Sequence, residues 1–425
     1  MFSISSFYEI LIKQLVFRVD PLTVCLTFRD FENNQSSDIE VINEDDKYKP
    51  LWYLSHDEKY KTVIFFNDQE PFRTRVFDNI FKNDEQKLGV SDSLNDHYAG
   101  YFGLTVNSYL HDVDYFRHHL LIYTTSEISH EQNQQLQSRG FYGWYFFAHG
   151  LIALDWFRNL KYLPAKYEFS KVFICFNNMI NGARNYRLTL VAQMLENKLT
   201  NRGYISLNQS SLQHTVKQEI FSENQYLSAR AKKQIFQQLY QTSHTFTIDT
   251  ANTSGELSAY DNLEVLTSAF VHVVTETVFY EQKLHLTEKI FKPIVARRPF
   301  ILVGAQGNLQ YLKRYGFKTF DQWIDESYDS EPDPDTRISM IVTELTKLCN
   351  MSDQQLRNMQ QEMHSVLEHN FNHFFGNFRS VVIDELVDNY RRILIAHNAG
   401  KDSSFASYLD YKNVNFDSVK QVLTS

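Results

Sequence analysis

Between Lys171 and Gly304 the chain alternates two hydrophobic periods, and that alternation limits its fold more than any other feature. Short runs rich in β-branched and aromatic residues, Val172 to Phe176 (VFICF), Ala269 to Val274 (AFVHVV) and Pro299 to Val303 (PFILV), read as strands. Stretches with helical spacing separate them: one carries Leu188, Val191, Met194 and Leu195, a weaker one spans 217–239, and a third spans 287–296. Strand, helix, strand in repetition is the signature of right-handed crossovers and a parallel sheet. The fold class expected is therefore α/β.

The first third adds strand-like runs at 22–28 (LTVCLTF), 62–66 (TVIFF) and 119–125 (HLLIYTT). Residues 143–160 read as a helix, with Trp144, Phe147, Leu151, Leu154 and Phe157 recurring at steps of three and four. A short helix is expected at 309–315. Three long amphipathic helices follow at 337–348, 352–370 and 378–397, with Ser352-Asp353 as a helix start. With 425 residues the chain is too long for one ordinary domain. The expected division is an amino-terminal domain over 1–165, a second α/β domain over 166–345, and carboxy-terminal helices over 346–425.

Composition excludes several function classes. A net charge of -9 is wrong for a protein that coats nucleic acid, because phosphate neutralisation needs cations, although a local basic groove stays open. The three cysteines, Cys25, Cys175 and Cys349, form neither a disulfide framework nor a metal knuckle, which fits a reducing compartment. No run approaches the roughly 18 uninterrupted apolar residues of a membrane span, so a cytoplasmic protein without membrane partners is expected. There is no GxGxxG and no GxxxxGK[ST], and His369 with His373 lacks the glutamate of HExxH; no metal site is expected.

Three stretches carry the chemistry. In the first, AFVHVVTETVFYEQKLHLTEKIFKPIVARRPFILVG (269–304), a strand ends at Thr275-Glu276 and Thr287-Glu288-Lys289 opens a helix. Thr287 is a good cap, and a helix start with free N–H groups beside a lysine is a natural diphosphate site. Glu288 could instead accept hydrogen bonds from ribose hydroxyls. Pro293 would lie inside a helix that began at Thr287, so the helix bends or starts later. In the second, VFICFNNMINGARNYR (172–187), Arg184 and Arg187 stand three apart at a helix start and are expected to share a face, as forks for phosphate oxygens. Lys289, Lys292, Arg297 and Arg298 are expected to complete one basic site with them. The third, FFNDQEP after a strand, offers Asp68 and Glu70 as bases, and outside it His149 in FFAHG is another; any of these could deprotonate a hydroxyl. The residues alone do not choose among them.

The segment LTEKIFKPIVARRPFILVGA (286–305) resembles the donor-binding motif of fucosyltransferase-like glycosyltransferases, and more closely glycosyltransferase-like proteins of tailed bacteriophages. Those carry similar FNDQEP, HG…DWFR, arginine-pair, TEKIFKPI and YLKRYGFKTFDQWIDESYD blocks, scattered here over about residues 60–400. The resemblance implies a GT-B architecture, two Rossmann-like domains facing a central cleft, and sugar transfer from a UDP- or GDP-linked donor to an acceptor hydroxyl, usually without a metal. It implies Arg184 and Arg187 on the diphosphate, Glu288 on the ribose, Lys289 on phosphate and Glu276 near the sugar. Phe291-Lys292-Pro293 departs from true fucosyltransferases, which puts GDP-fucose in doubt. The phage resemblance raises a hydroxymethylated pyrimidine in DNA as acceptor, in a DNA-modifying reaction that would flip the base out; a saccharide or protein hydroxyl is the rival. A nucleotide-sugar epimerase or hydrolase, and a non-catalytic nucleotide-binding module, are the competing classes.

Overall fold

The computed structural model describes residues 15–16, 23–29, 38–43, 46–49, 62–67, 120–125, 134, 137, 141–162, 164–207, 212–221, 226–241, 263–399 and 417. Contacts divide the chain into two compact units. One joins the described residues of 2–148 to those from Ser380 onward, and the other runs from His149 to Arg379. The boundary therefore falls at 148/149, whereas the sequence suggested 165/166. Residues 346–379, expected in the tail, group with the second unit.

The amino-terminal unit holds a six-stranded mixed sheet. Its strands are β1 (Thr23–Arg29), β2 (Asp38–Asn43), β3 (Asp46–Lys49), β4 (Thr62–Asn67), β5 (Leu120–Thr125) and β6 (Phe141–Tyr145), in the order β3-β2-β1-β4-β5-β6. β1, β4, β5 and β6 are parallel neighbours, while β2 and β3 add an antiparallel edge. The expected helix over 143–160 is corrected here. Residues 141–145 pair with β5 as a strand, and only Ala148–Trp156 is α-helical (α1). Aromatic residues spaced by three fit either element, and pairing with β5 decides between them.

The second unit is built on a four-stranded, wholly parallel sheet. β7 (Lys171–Asn177) leads through α2 (Tyr186–Glu196) to β8 (Gly203–Leu207); α3 (Leu212–Phe221), α4 (Ala229–Ile235) and α5 (Leu263–Thr267) precede β9 (Ala269–Thr275). A 3-10 turn at Glu288–Ile290 and α6 (Phe291–Val295) connect β9 to β10 (Phe300–Val303), and α7 (Asn308–Arg314) follows. The strand order is β10-β9-β7-β8, an α/β arrangement with parallel strands compatible with a Rossmann-like fold. All seven residues of β9 are buried, as in a parallel sheet covered on both faces. Buried His272 fits because its Nε2 meets the Leu266 carbonyl at 2.7 Å. Gly203 opens β8 because a Cβ there would sit 2.3 Å from the Phe173 ring.

Pro293 resolves as the third residue of α6, among the N–H positions that a helix leaves unbonded in any case. The Thr287-capped turn is a separate 3-10 element before it. The carboxy-terminal helices are α8 (Pro334–Asn350), α9 (Asp353–Phe375) and α10 (Phe378–Ala399). Ser352 and Gln355 form a reciprocal capping box at the start of α9. Phe291 stacks on Phe374 at 4.8 Å and lies 5.3 Å from Phe378, so α6 is anchored into an aromatic core. Beyond Ser380, α10 belongs to the other unit. There Leu386 O accepts from the Trp144 indole at 3.0 Å and Asn389 donates to Tyr145 O at 2.8 Å. Among the described residues no helix is long and apolar enough to cross a membrane.

Candidate functional site

The strand order fixes where a site belongs. From β7 the chain moves to β8 on one side, and from β9 it moves to β10 on the other, so β7 and β9 flank a topological switch point. In open parallel sheets, ligands bind outside the carboxyl ends of strands at such a point. The segments leaving those two ends are 178–185, which carries Arg184 and leads into Arg187, and 276–287, which carries Glu276 and Thr287 and leads into Glu288 and Lys289.

Arg187 joins the two sides. It is buried in the first turn of α2, and its Nη1 donates to Met179 O at 2.7 Å. Its Nη2 donates to Thr275 O at 3.0 Å and Glu276 O at 3.1 Å. Tyr186 Oη also donates to Glu276 O, at 2.5 Å. The guanidinium thus ties the exit of β7 to the exit of β9 and satisfies three carbonyls that the sheet ladder leaves open. Arg184 does not share its helical face. It ends a 3-10 turn (Gly182–Arg184) before the helix, is half-exposed, and donates to the Met179 sulfur. Gly182 turns the chain there with φ 56°, and the carboxylate of Glu219 accepts from its N–H at 3.0 Å and from Asn185 Nδ2 at 2.7 Å. That stretch of loop therefore already holds an internal anion.

On the β9 side, Glu276 is fully buried and does not face outward as a sugar ligand would. Its Oε2 accepts from the Thr287 hydroxyl at 2.6 Å and its Oε1 from the Thr287 N–H at 3.3 Å. Burial raises its pKa, with the Lys289 charge and the Thr287 hydrogen bonds opposing. Lys289 Nζ donates to Thr287 Oγ1 at 3.2 Å and to Glu288 Oε1 at 3.1 Å, and about a third of its side chain is exposed. Burial pushes the Glu288 carboxyl up, but Lys289 and the other cations around it overcome this and hold it at about 2. Glu288 is therefore ionised at neutral pH.

His149, in the first turn of α1, completes the group. Its Nδ1 lies 3.9 Å from Glu288 Oε2, and its ring meets His285 edge-on at 5.2 Å. Burial depresses its pKa to about 4 against the pull of Glu288, so the imidazole is neutral at pH 7. His149 lies in the same unit as Glu288. Asp68 and Glu70, the other two candidate bases, lie outside the described residues.

The expected single basic site divides in two. Lys289 and Lys292 act electrostatically on Glu288, but Arg298 is buried at the opposite edge of the sheet, donating to Glu168 O at 2.8 Å and to Thr267 O. Arg297 pairs with Glu368 at 2.9 Å. The reason is geometric: the β9–β10 crossover returns the chain to the amino ends of the strands, so residues at its two ends lie at opposite edges. A second helix start is also closed to outside anions, because Asp329 accepts from Leu309 N–H at 2.9 Å and Gln310 N–H at 3.2 Å at the head of α7. His369 and His373 each direct Nε2 at a backbone carbonyl, Gly316 O and Tyr315 O. Among the described residues no three His, Cys, Asp or Glu side chains gather as a metal-holding group.

Two contributors escape sequence reasoning, Tyr186 and His285. Each is adjacent to a motif, but an aromatic next to an arginine and a histidine two before a threonine carry no pattern of their own. No family model matches the chain, and no curated protein matches it significantly.

Proposed function

We propose that the switch-point end of the second unit binds the diphosphate of a nucleotide-sugar and that the protein is a glycosyltransferase of the GT-B type. The observation that carries this reading is the convergence of Lys289, ionised Glu288 and neutral His149 beside the carboxyl end of β9, the edge at which parallel sheets take their ligands. Lys289, partly exposed, is the cation for the departing diphosphate. Glu288 is the acceptor for ribose hydroxyls. Arg184, half-exposed on the facing loop, is a second cation for the phosphates, whereas Arg187 supports the site by holding the two strand ends together.

His149 fits the role of base. A neutral imidazole takes the acceptor's hydroxyl proton as the sugar moves, and the imidazolium that forms has the Glu288 carboxylate 3.9 Å away. Its low pKa makes it a weak base in the free protein, and a bound diphosphate raises that basicity by adding negative charge nearby. The acceptor is a hydroxyl on a hydroxymethylated pyrimidine in DNA or on a saccharide.

Incubation with UDP- and GDP-sugars, with hydroxymethylated DNA, plain DNA or a mixed oligosaccharide pool, followed by mass spectrometry of the products, tests the reading. A mass gain of one hexose or deoxyhexose on an acceptor supports it. Free sugar formed at the same rate with and without acceptor favours a hydrolase instead, and no turnover of any donor counts against an enzyme.

A further inference from the structure

We infer that Glu276 is a positioning residue, one that touches no substrate and instead sets the Thr287–Glu288–Lys289 turn through a one-way hydrogen-bond relay; the inference rests on the donor-site reading above.

Glu276 is built into the sheet on all sides. Its N–H donates to Val303 O at 2.9 Å, extending the ladder onto β10, and its carbonyl receives both Tyr186 and Arg187. With the backbone so fixed, the carboxylate is a rigid acceptor, and both its oxygens go to one residue, Thr287, eleven positions on. The Thr287 hydroxyl has one hydrogen, which it gives to Glu276. Its oxygen lone pairs are thereby left to accept from Lys289 Nζ at 3.2 Å and from the Lys289 N–H at 3.4 Å. Lys289 in turn donates to Glu288, which faces His149. The Thr287 N–H and the Lys289 ammonium can only donate, which fixes the direction of their bonds, and the Thr287 hydroxyl gives its hydrogen to Glu276 Oε2. Burying a carboxyl group this deeply is costly even with its two Thr287 hydrogen bonds, so a structural role alone would be served better by an apolar residue. What the carboxyl group adds is an acceptor for the Thr287 hydroxyl hydrogen, which leaves the hydroxyl oxygen to Lys289.

Glu276→Gln keeps size and shape but turns one acceptor into a donor. Its amide N–H then competes for the Thr287 oxygen, the hydroxyl hydrogen loses its acceptor, and Lys289 loses one of its two partners.

Amine acylation of the folded, full-length protein with a limiting anhydride, read lysine by lysine by peptide mass spectrometry, tests this without any ligand. In Glu276→Gln, Lys289 is expected to label at least threefold faster relative to Lys161 and Lys198. Thr287→Val should reproduce that increase, and Thr287→Ser should keep the slow rate. An unchanged Lys289 rate in Glu276→Gln, or an increase there that Thr287→Val does not share, overturns the proposal. Adding UDP or GDP to the unsubstituted protein separates the two readings. Protection of Lys289 that Glu276→Gln weakens at least fivefold in apparent affinity supports both. Expected labelling changes with no nucleotide protection keep the relay and count against the donor site.

Discussion

At the residue scale, Arg187 was expected to bind ligand, and its geometry makes it a clamp. One guanidinium bridges three backbone carbonyls, of which Glu276 O also accepts from Tyr186, and a lysine cannot span all three because its N–H groups leave a single nitrogen. Arg187→Met should therefore lower stability by about 3 kcal/mol, since buried acceptors lose their donors, and a urea unfolding midpoint will report it. The sequence pattern made the arginine pair conspicuous but could not tell which member turns inward. The two stand on different elements, Arg184 at the end of the 3-10 turn and Arg187 in α2, with Asn185 as the break between them. Glu288 and Lys289 were legible because a Thr-Glu-Lys helix start has an intrinsic electrostatic meaning. Glu276 was noticed, but its part was not readable, because its partner Thr287 comes close only once β9 and the turn are folded.

The histidines give a second prediction at this scale. Burial holds His149 at about 4 and His272 at about 3 in the folded protein, against 6.5 when unfolded. Above pH 6.5 neither state takes up a proton on these rings. Below it the unfolded chain binds protons that the folded chain refuses, so stability falls as pH drops from 6.5 towards 4, by roughly 3 kcal/mol per ring. Glu288 contributes in the opposite position on the scale, its stabilisation persisting above 4.5 and being lost only as pH falls towards 2. Denaturant titrations at pH 7 and pH 4.5 should show a smaller loss in His272→Gln than in the parent. An equal loss would mean that His272 titrates normally in the fold.

At the element scale, short strands and their covers test how local preference and tertiary pairing share control. β7, β9 and β10 were readable as apolar runs, since a strand buried on both faces needs no alternation. β6 and β8 were not. The aromatic spacing of 141–145 also suits a helix, and Gly203–Leu207 is a five-residue run with one polar residue, made a strand by pairing with β7. Gly203 is the point at which that pairing is most exposed to mutation. Gly203→Ala drives a methyl into the Phe173 ring, and a loss of about 2 kcal/mol is expected from overpacking, measurable as a lower melting temperature. At the head of α9 the helix start was legible from Ser352-Asp353, though not the reciprocal bond from Gln355, and Ser352→Ala should cost about 1 kcal/mol.

At the scale of the whole molecule, the switch point between β7 and β9 does what no single motif can. It brings segments about a hundred residues apart to one sheet edge and sends Arg297 and Arg298 to the other. Strand order was not contained in the hydrophobic pattern, because the same runs permit β9 on either side of β7. The basic cluster expected from the sequence is therefore divided between the two edges, while the 178–185 and 276–287 segments leave neighbouring strand ends. Isothermal titration of UDP and GDP into the parent protein and into Lys289→Ala examines that edge most directly. Saturable binding of at least one nucleotide, weakened tenfold or more in the variant with its melting temperature unchanged, is the expected result; no binding of either nucleotide, or equal affinity in both proteins, would contradict it.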